Sequence, residues 1–529
     1  MFPQLEFDEF KKLAQYNKRI AVFRTVPSDK FTPITVFQAL QNESAQAVLL
    51  ESAVESASIG RYSFIALQPF AQFSAKGGIV KISQGQNYRE ESIRPPIDVL
   101  KAFLEEMRCA QHSDLPYLSG GAVGFFSYDA IRLFEAIPGR HPDKEALPDI
   151  FFLCPRIVFV FDHHKGMMSL SLLVETGEDL YADYSQAQKE IDLLLEKITR
   201  PGDESIKQKP AIPRAVRKLE FEPRESSRGS IDRKEVSEGI AKLQFADCAW
   251  YNTVVQDDID DLTFCKKVEE AKEYIRRGDA YQIVLSRKFQ RSYSVEPLTI
   301  YRSLRIISPS AFMFYFQTPE FSLAGASPER LIKVANGTVE TMPIAGTSSR
   351  GVGDGDLQQE LALLADEKEA AEHMMLVDVG RNDIGAVAEI GTVTVKELKT
   401  VHRFSHVMHL VSVVSATLKA GCDSFDALKA AFPAATLCGA PKIRAMEIVD
   451  LLETSRRGLY GGAICAIDNY GNLDSCIAIR MAQLKNGIAS VRTGAGIVFD
   501  SDPQKEADET RHKARSVLEA IRIAEEDLV

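Results

Sequence analysis

The sequence predicts a mixed chain of the α/β class, α+β in type, with mostly antiparallel sheets and helices outside them. Three observations carry this expectation. Strand-like runs follow one another directly: 150–161 and 167–174 form a hairpin-like pair, and 461–469, 476–484 and 489–498 read as a three-strand meander. Amphipathic helical runs are interspersed among them without the regular alternation of a βαβ series. The 529 residues are 45% hydrophobic and 26% charged, an ordinary globular composition that can bury a large core.

In chain order, 4–17 reads as a helix whose apolar face is Leu5, Phe7, Phe10, Leu13 and Ala14, and 31–42 as a second. Strands are expected at 47–52, 60–67 and 79–82, a helix at 96–109, a glycine-flanked strand at 120–126, and a helix at 179–198. These make a first region, 1–199. Residues 200–262 are largely polar, charged and Pro-bearing, and read as a linker or surface excursion. The third region, 263–529, opens with helix 264–277, strand 281–289 and helix 298–307. Strands follow over 308–316, 321–331 and 339–344. Helix 360–379 comes next, ended by Gly380, then strand 392–398 and the apolar stretch 406–415. Helices at 424–431 and 440–455 precede the meander, and helix 504–526 closes the chain.

Net charge is −11, which argues against a nucleic-acid or anionic-membrane surface. An anionic substrate would need Arg and Lys concentrated in its site. Eight cysteines lie scattered with no CxxC pair, so zinc spacing and a small disulfide framework are absent and reduced thiols are expected. The N-terminus lacks an apolar signal core, and no apolar run reaches about 18 residues. The expectation is a cytoplasmic, soluble protein. There is no GxxxxGK[ST], HExxH or GxSxG, and the GxG at 494–496 does not open a helix.

What remains is carboxylate chemistry. In DEKEAAEHMMLVDVGRND (366–383), Glu369 and Glu372 are three apart and share a helix face. In EADETRHKA (506–514), Glu506 and Glu509 repeat that spacing, and Lys513 follows Glu509 by four. Two such pairs suit a hard, oxygen-loving cation, magnesium rather than zinc. The same spacings also describe solvated acidic faces and an ordinary i,i+4 surface pair. Backbone amides near Gly461-Gly462 and Gly494–Gly496 suit a carboxylate, although glycines at a tight strand bend look the same.

These motifs resemble those of the chorismate-utilising enzymes. The likeness covers roughly 264–525 and lies in GDAYQIVLSR (278–287), GASPERL (325–331), PIAGT (343–347), 366–383, FSHVMHLVS (404–412), TLCGAPKIRAMEI (436–448), YGGAI (460–464), SCIAIR (475–480), TGAGIV (493–498) and EADETRHKA. Over 20–175 it is weaker, visible in LLESA (49–53). It is strongest to the large, chorismate-binding subunits of the anthranilate-forming branch. The resemblance implies a fold of orthogonally packed sheets with outer helices and intertwined chain halves. It implies that Glu372 and Glu509 hold Mg²⁺, with Glu506 in the first or second coordination sphere, and that the cation binds the ring carboxylate of chorismate. Tyr460, Arg480, Lys513 and the amides of Gly494 and Gly496 would hold substrate carboxylates, with Gly346 and Thr347 of PIAGT also against the substrate. Glu329 would be the general acid that protonates the departing C4 hydroxyl while a nucleophile attacks C2. His409 would serve the later elimination of pyruvate, and Thr436 would line the pocket.

Within the family two positions separate the branches. Water-adding relatives carry Lys where this chain has Gln282, which cannot act as a base at neutral pH. Aminodeoxychorismate-forming relatives often carry a covalent Lys where this chain has Ala345. Ammonia then fits as the nucleophile, giving anthranilate for tryptophan synthesis. The alternative is aminodeoxychorismate for the folate pathway. The chain has no glutaminase signature, so the resemblance implies a glutamine amidotransferase partner in a hetero-oligomer. It also implies feedback inhibition by tryptophan, bound by Leu50, Glu51 and Ser52 with Pro309, Phe312 and Met313. Here the sequence departs from the family pattern at Ser308, Ala311, Phe312 and Ala466.

Overall fold

A computed structural model describes residues 3–53, 60–92, 95–199, 255–350, 354–403 and 407–527. Most of the expected linker, residues 200–254, lies outside the described residues, as do 404–406 of FSHVMHLVS.

Antiparallel pairing builds two sheets. The first runs Arg19–Pro27, Met167–Glu175, the 157–162 half of Ile150–Asp162, the 62–67 half of Tyr62–Lys76, and Ala47–Glu51. It continues through Phe312–Gln317, Ser322–Ser327, Met481–Lys485, Ile488–Ile497 and Gln282–Ser292. The second runs Asn87–Ser92, Ile79–Gln84, residues 71–76, residues 150–154 and Ala122–Phe126. It continues through Ala463–Ile467, Leu473–Ile477, Arg330–Ala335, Thr338–Thr341, Val407–Thr417 and Thr394–Arg403, and Ile344–Ser349 also lies along Val407–Thr417. Regions 1–199 and 263–529 therefore share both sheets, which is the expected intertwining. Tyr62–Lys76 and Ile150–Asp162 pass from one sheet to the other where their register shifts between Pro69 and Ala71. Strands that change sheets at a bulge are the corner device of orthogonal packing.

Side chains alternate across each strand, and the central strands of both sheets are buried on both faces, whereas the outlying strands Asn87–Ser92 and Thr394–Arg403 are largely exposed. Val48, Val158 and Phe314 of the first sheet pack with Phe125, Phe151 and Ile464 of the second. Their neighbours Leu49, Phe159 and Tyr315 face the other way, onto helices Pro33–Leu40, Pro297–Ile307 and Pro503–Asp527. Phe126 and Phe152 face helices Pro96–Met107 and Ser424–Ala431. The order is helix, sheet, sheet, helix.

Several expected elements differ. The helix read over 360–379 is two, Asp354–Ala365 and Glu367–Gly385, and Gly380 does not end the second. A Cβ at Gly380 would stand 3.2 Å from Thr341 Cγ2 and 3.3 Å from Pro343 Cγ, so glycine serves close packing there. The three-strand meander is four strands. Met481–Lys485 separates from Leu473–Ile477 at Arg480, whose φ is 51°, and the two pair with different neighbours. The run 321–331 breaks at Pro328 and Glu329 into Ser322–Ser327 and Arg330–Ala335. Helix 440–455 shortens to Lys442–Leu452, with Pro441 just before its first turn. Strands Arg19–Pro27 and Asn87–Ser92 were not anticipated.

Candidate functional site

Glu329 sits in the break between Ser322–Ser327 of the first sheet and Arg330–Ala335 of the second. Its carbonyl accepts from the Ile477 amide (3.0 Å). Its carboxylate Oε1 accepts from Thr436 Oγ1 (3.1 Å), carried on the single helical turn Ala435–Cys438. Burial pushes this carboxyl up to about 7, against the opposing pull of Thr436 and the Lys513 ammonium. It therefore exchanges a proton near neutrality, as a general acid must.

Lys513 joins this acid to the next wall. It donates to Gly494 O (3.0 Å) and pairs with Glu509 at 2.5 Å. Gly494 and Gly496 lie opposite Ser286 and Val284 in the register of Gln282–Ser292. The Ser286 amide and Val284 carbonyl are turned to Glu453 (2.8 Å) and Arg457 (2.7 Å) instead. These are thus non-hydrogen-bonded pairs, and the N–H groups of Gly494 and Gly496 face the same open edge as the carbonyl that Lys513 caps. Two amides aimed past a lysine suit a carboxylate. A Cβ at Gly494 would stand 2.6 Å from Leu285 O and 2.9 Å from the Tyr460 hydroxyl, so glycine is required there, and one at Gly496 would displace Gln282 Nε2, 2.9 Å away.

Arg480 is half-buried, and burial lowers its pKa against the favourable fields of Tyr460 and Glu509. Among the described residues its guanidinium has no hydrogen bond or ion pair. A half-buried cation with no ion-pair partner within contact attracts an anionic ligand. His409 lies within its field. Burial is the main cause of the lowered His409 pKa, Arg480 adds to it, and the Gly346 carbonyl opposes it. His409 Nδ1 lies 3.0 Å from that carbonyl. A carbonyl only accepts, so Nδ1 carries the proton and the neutral ring keeps its lone pair on Nε2. Thr347 is paired opposite His409, and a Cβ at Gly346 would approach Glu369 Oε2 to 3.3 Å. Glu369, which shares its helix face with Glu372, thus borders the same wall.

The predicted acids occupy two helices at this pocket. Glu372 is half-buried and accepts from Gln282 Nε2 (3.4 Å). Glu509 is exposed and Glu506 half-buried. Among the described residues no group of three Asp, Glu, His or Cys side chains closes round one point. The donors nevertheless fit a hard cation in kind: carboxylates within reach of solvent, with a carboxylate substrate to complete the shell.

The elements expected to hold tryptophan are adjacent strands. Leu50 and Glu51 pair opposite Phe314 and Met313, and the Ala53 amide donates to Ser310 O (3.0 Å). This places Ser52 and Pro309 at one end of the pairing. Glu51 is buried, accepts from the Tyr301 hydroxyl (2.7 Å) and forms an ion pair with Arg305 (3.2 Å). Arg330 lies over the Phe312 ring at 5.4 Å, and Ala466 is buried in the interior between the sheets.

The sequence reading missed Glu453 and Arg457, a buried pair behind the pocket. Their i,i+4 spacing was the available signal, but it does not distinguish a buried pair from a surface one.

A family model described as chorismate binding enzyme matches residues 46–519. The chain is 39% identical to anthranilate synthase component 1 of Acetivibrio thermocellus, over 98% of each chain. It is 35% identical to that of Aquifex aeolicus, over 99% of this chain and 98% of the relative. The structure is similar to anthranilate synthase component I from Streptococcus pneumoniae, with a TM-score of 0.68 and 34% identity over 93% of this chain and 98% of that one. It shares its fold with the menaquinone-specific isochorismate synthase of Escherichia coli, with a TM-score of 0.65 and 19% identity over 97% of this chain and 98% of that one.

Proposed function

We propose, from the premise that this chain belongs to the chorismate-binding enzyme family, that it is the chorismate-converting component of an anthranilate synthase in tryptophan biosynthesis. One observation carries the chemistry: a carboxyl poised at about 7, Glu329, shares a pocket with a cationic wall of Arg480 and Lys513. Chorismate is a dianion, and that wall with the Gly494 and Gly496 amides supplies its counter-charge in an otherwise acidic protein.

Protonated Glu329 gives its proton to the C4 hydroxyl, which leaves as water while ammonia attacks C2 and both ring double bonds shift, from C1=C2 to C1=C6 and from C5=C6 to C4=C5. The ammonium formed at C2 releases its extra proton. His409 Nε2 then receives the C2 proton as the C3–O bond breaks, and the enolpyruvyl group leaves as pyruvate after protonation at its methylene carbon. The ring becomes aromatic anthranilate. Gln282 and Ala345 offer no base for water and no covalent amine, so ammonia enters as the free nucleophile. Mg²⁺, held by Glu372 and Glu509 with Glu506 beside them, would bind and orient the ring carboxylate and offset its charge. Ammonia would come from a glutamine amidotransferase partner. Tryptophan bound beside Glu51 and Met313 would act as inhibitor.

The test is purified protein with chorismate, Mg²⁺ and ammonium, followed by fluorescence and mass detection. Fluorescent anthranilate and equimolar pyruvate are expected. Aminodeoxychorismate, or no product beside a working control enzyme, would overturn the reading.

A further inference from the structure

Arg457 and Glu453 are 3% and 6% exposed. Glu453 receives Arg457 Nε at 3.1 and 3.0 Å and Nη2 at 2.6 Å. The pair sits on the edge of Gln282–Ser292 just past the short pairing of Gln282 and Ile283 with Ala440 and Gly439. There Nη2 donates to Val284 O (2.7 Å), and Glu453 accepts the Ser286 amide (2.8 Å) and hydroxyl (2.7 Å). Two side chains thus do what a neighbouring strand would do for those backbone groups. Arg457 Nη1 donates to Leu437 O, one residue beyond Thr436. The guanidinium also lies 4.6 Å from the Tyr128 ring centre and 5.9 Å from that of Tyr460.

Three walls of the pocket therefore converge on one buried cation. They are the turn that carries Thr436, the strand that carries Gln282, and Tyr460. A buried ion pair is seldom the most stable filling for such a space, so its value here lies in geometry. Five N–H groups in a fixed plane reach three acceptors at once, Glu453, Val284 O and Leu437 O, in a geometry that a lysine or an apolar side chain cannot supply.

We propose that Arg457, held by Glu453, is a positioning residue for the reaction: through Leu437 O it sets Thr436 against Glu329, and so places the general acid. This rests on the reading of Glu329 as that acid. The groups facing the Glu329 carboxyl are Thr436 and Lys513, and Arg457 acts on it only through the first. Loosening the turn weakens the Thr436 hydrogen bond, which favours the ionised carboxylate, so Glu329 should titrate higher.

The test compares the parent with Arg457→Lys, Thr436→Val, their double variant, and a Glu453→Leu/Arg457→Met pair. Replacement of both partners by apolar residues tends to preserve folding where removal of one does not. Glu329 is followed by ¹³C NMR of carboxyl-labelled glutamate, assigned with Glu329→Gln, and so without reference to turnover. Its titration should move up by about half a unit to one unit in Arg457→Lys and in Thr436→Val, and no further when the two are combined. Where the parent forms anthranilate, kcat should fall about 10- to 100-fold in Arg457→Lys with KM for chorismate changed far less. The apolar pair should show the same titration shift at a lower Tm, because Val284 O, Leu437 O and the Ser286 amide lose their partners. A folded Arg457→Lys with an unmoved Glu329 titration, or shifts that simply add, would refute the positioning role. Absence of anthranilate from the parent would instead remove the proposed reaction and leave the titration result standing.

Discussion

Thr436 Oγ1 donates to Glu329 Oε1 at 3.1 Å, the contact that tempers a carboxyl which burial lifts to about 7. The protonated form is the acid, so kcat/KM with ammonium in fixed free-base excess should fall as pH rises through about 7. Thr436→Val removes a donor that favours the charged form and should move that limb upward by about half a unit. A pH profile of the two proteins checks it, and a lower limb in the variant contradicts the assignment.

The same elevated pKa costs stability. Unfolded Glu329 titrates near 4.5, folded near 7, so between these values the unfolded chain binds fewer protons and stability falls as pH rises. Above about 7 the full penalty is present. Glu329→Gln should stop turnover, yet melt a few degrees above the parent at pH 8, with the difference vanishing near pH 4. Calorimetry at both pH values decides it, and equal melting at pH 8 counts against a raised pKa.

Arg480 should bind a substrate carboxylate. Arg480→Ala is expected to raise KM for chorismate about 10- to 100-fold, with Arg480→Lys recovering only part of it because a point charge cannot make a bidentate contact. Steady-state kinetics is the measurement, and an unchanged KM rules the contact out.

Chelation should silence the enzyme reversibly if Glu372 and Glu509 hold Mg²⁺. Glu372→Gln should lose turnover and weaken Mg²⁺ binding in calorimetric titrations with substrate present, at near-parental Tm. Full activity in EDTA would falsify the metal reading.

Tryptophan should inhibit, and Glu51→Gln should weaken that inhibition more than it changes kcat, because Glu51 lies on the Ala47–Glu51 edge beside Phe312–Gln317. An inhibition curve for each protein tests this, and no effect at about millimolar tryptophan removes the site.

The sequence made local elements and site chemistry legible because both are carried by short patterns. Helix Pro503–Asp527 and the hairpin of Ile150–Asp162 with Met167–Glu175 follow from periodicity alone. The acids and cations of the pocket came from motifs, and the structure brings Glu329, Thr436, Lys513, Gly494, Tyr460, Arg480 and His409 into one linked set. What escaped depends on contacts far along the chain. Gly380 looked like a helix stop because its reason, the approach of Thr341 and Pro343, is tertiary. Arg480 looked like the middle of a strand because its positive φ leaves no trace in hydrophobic pattern. Glu453 and Arg457 went unnoticed because burial was the missing fact.

The two sheets that both ends of the chain complete also dictate how the protein must be made. Ala47–Glu51 meets Phe312–Gln317, and Ala122–Phe126 meets Ala463–Ile467, so each early strand waits on the ribosome for a partner synthesised hundreds of residues later. At ordinary elongation rates that interval is of order tens of seconds. Throughout it, apolar strand edges stand exposed to other nascent chains. The nascent chain should therefore depend on chaperone holding, and the first 199 residues expressed alone should aggregate instead of folding as a free-standing unit.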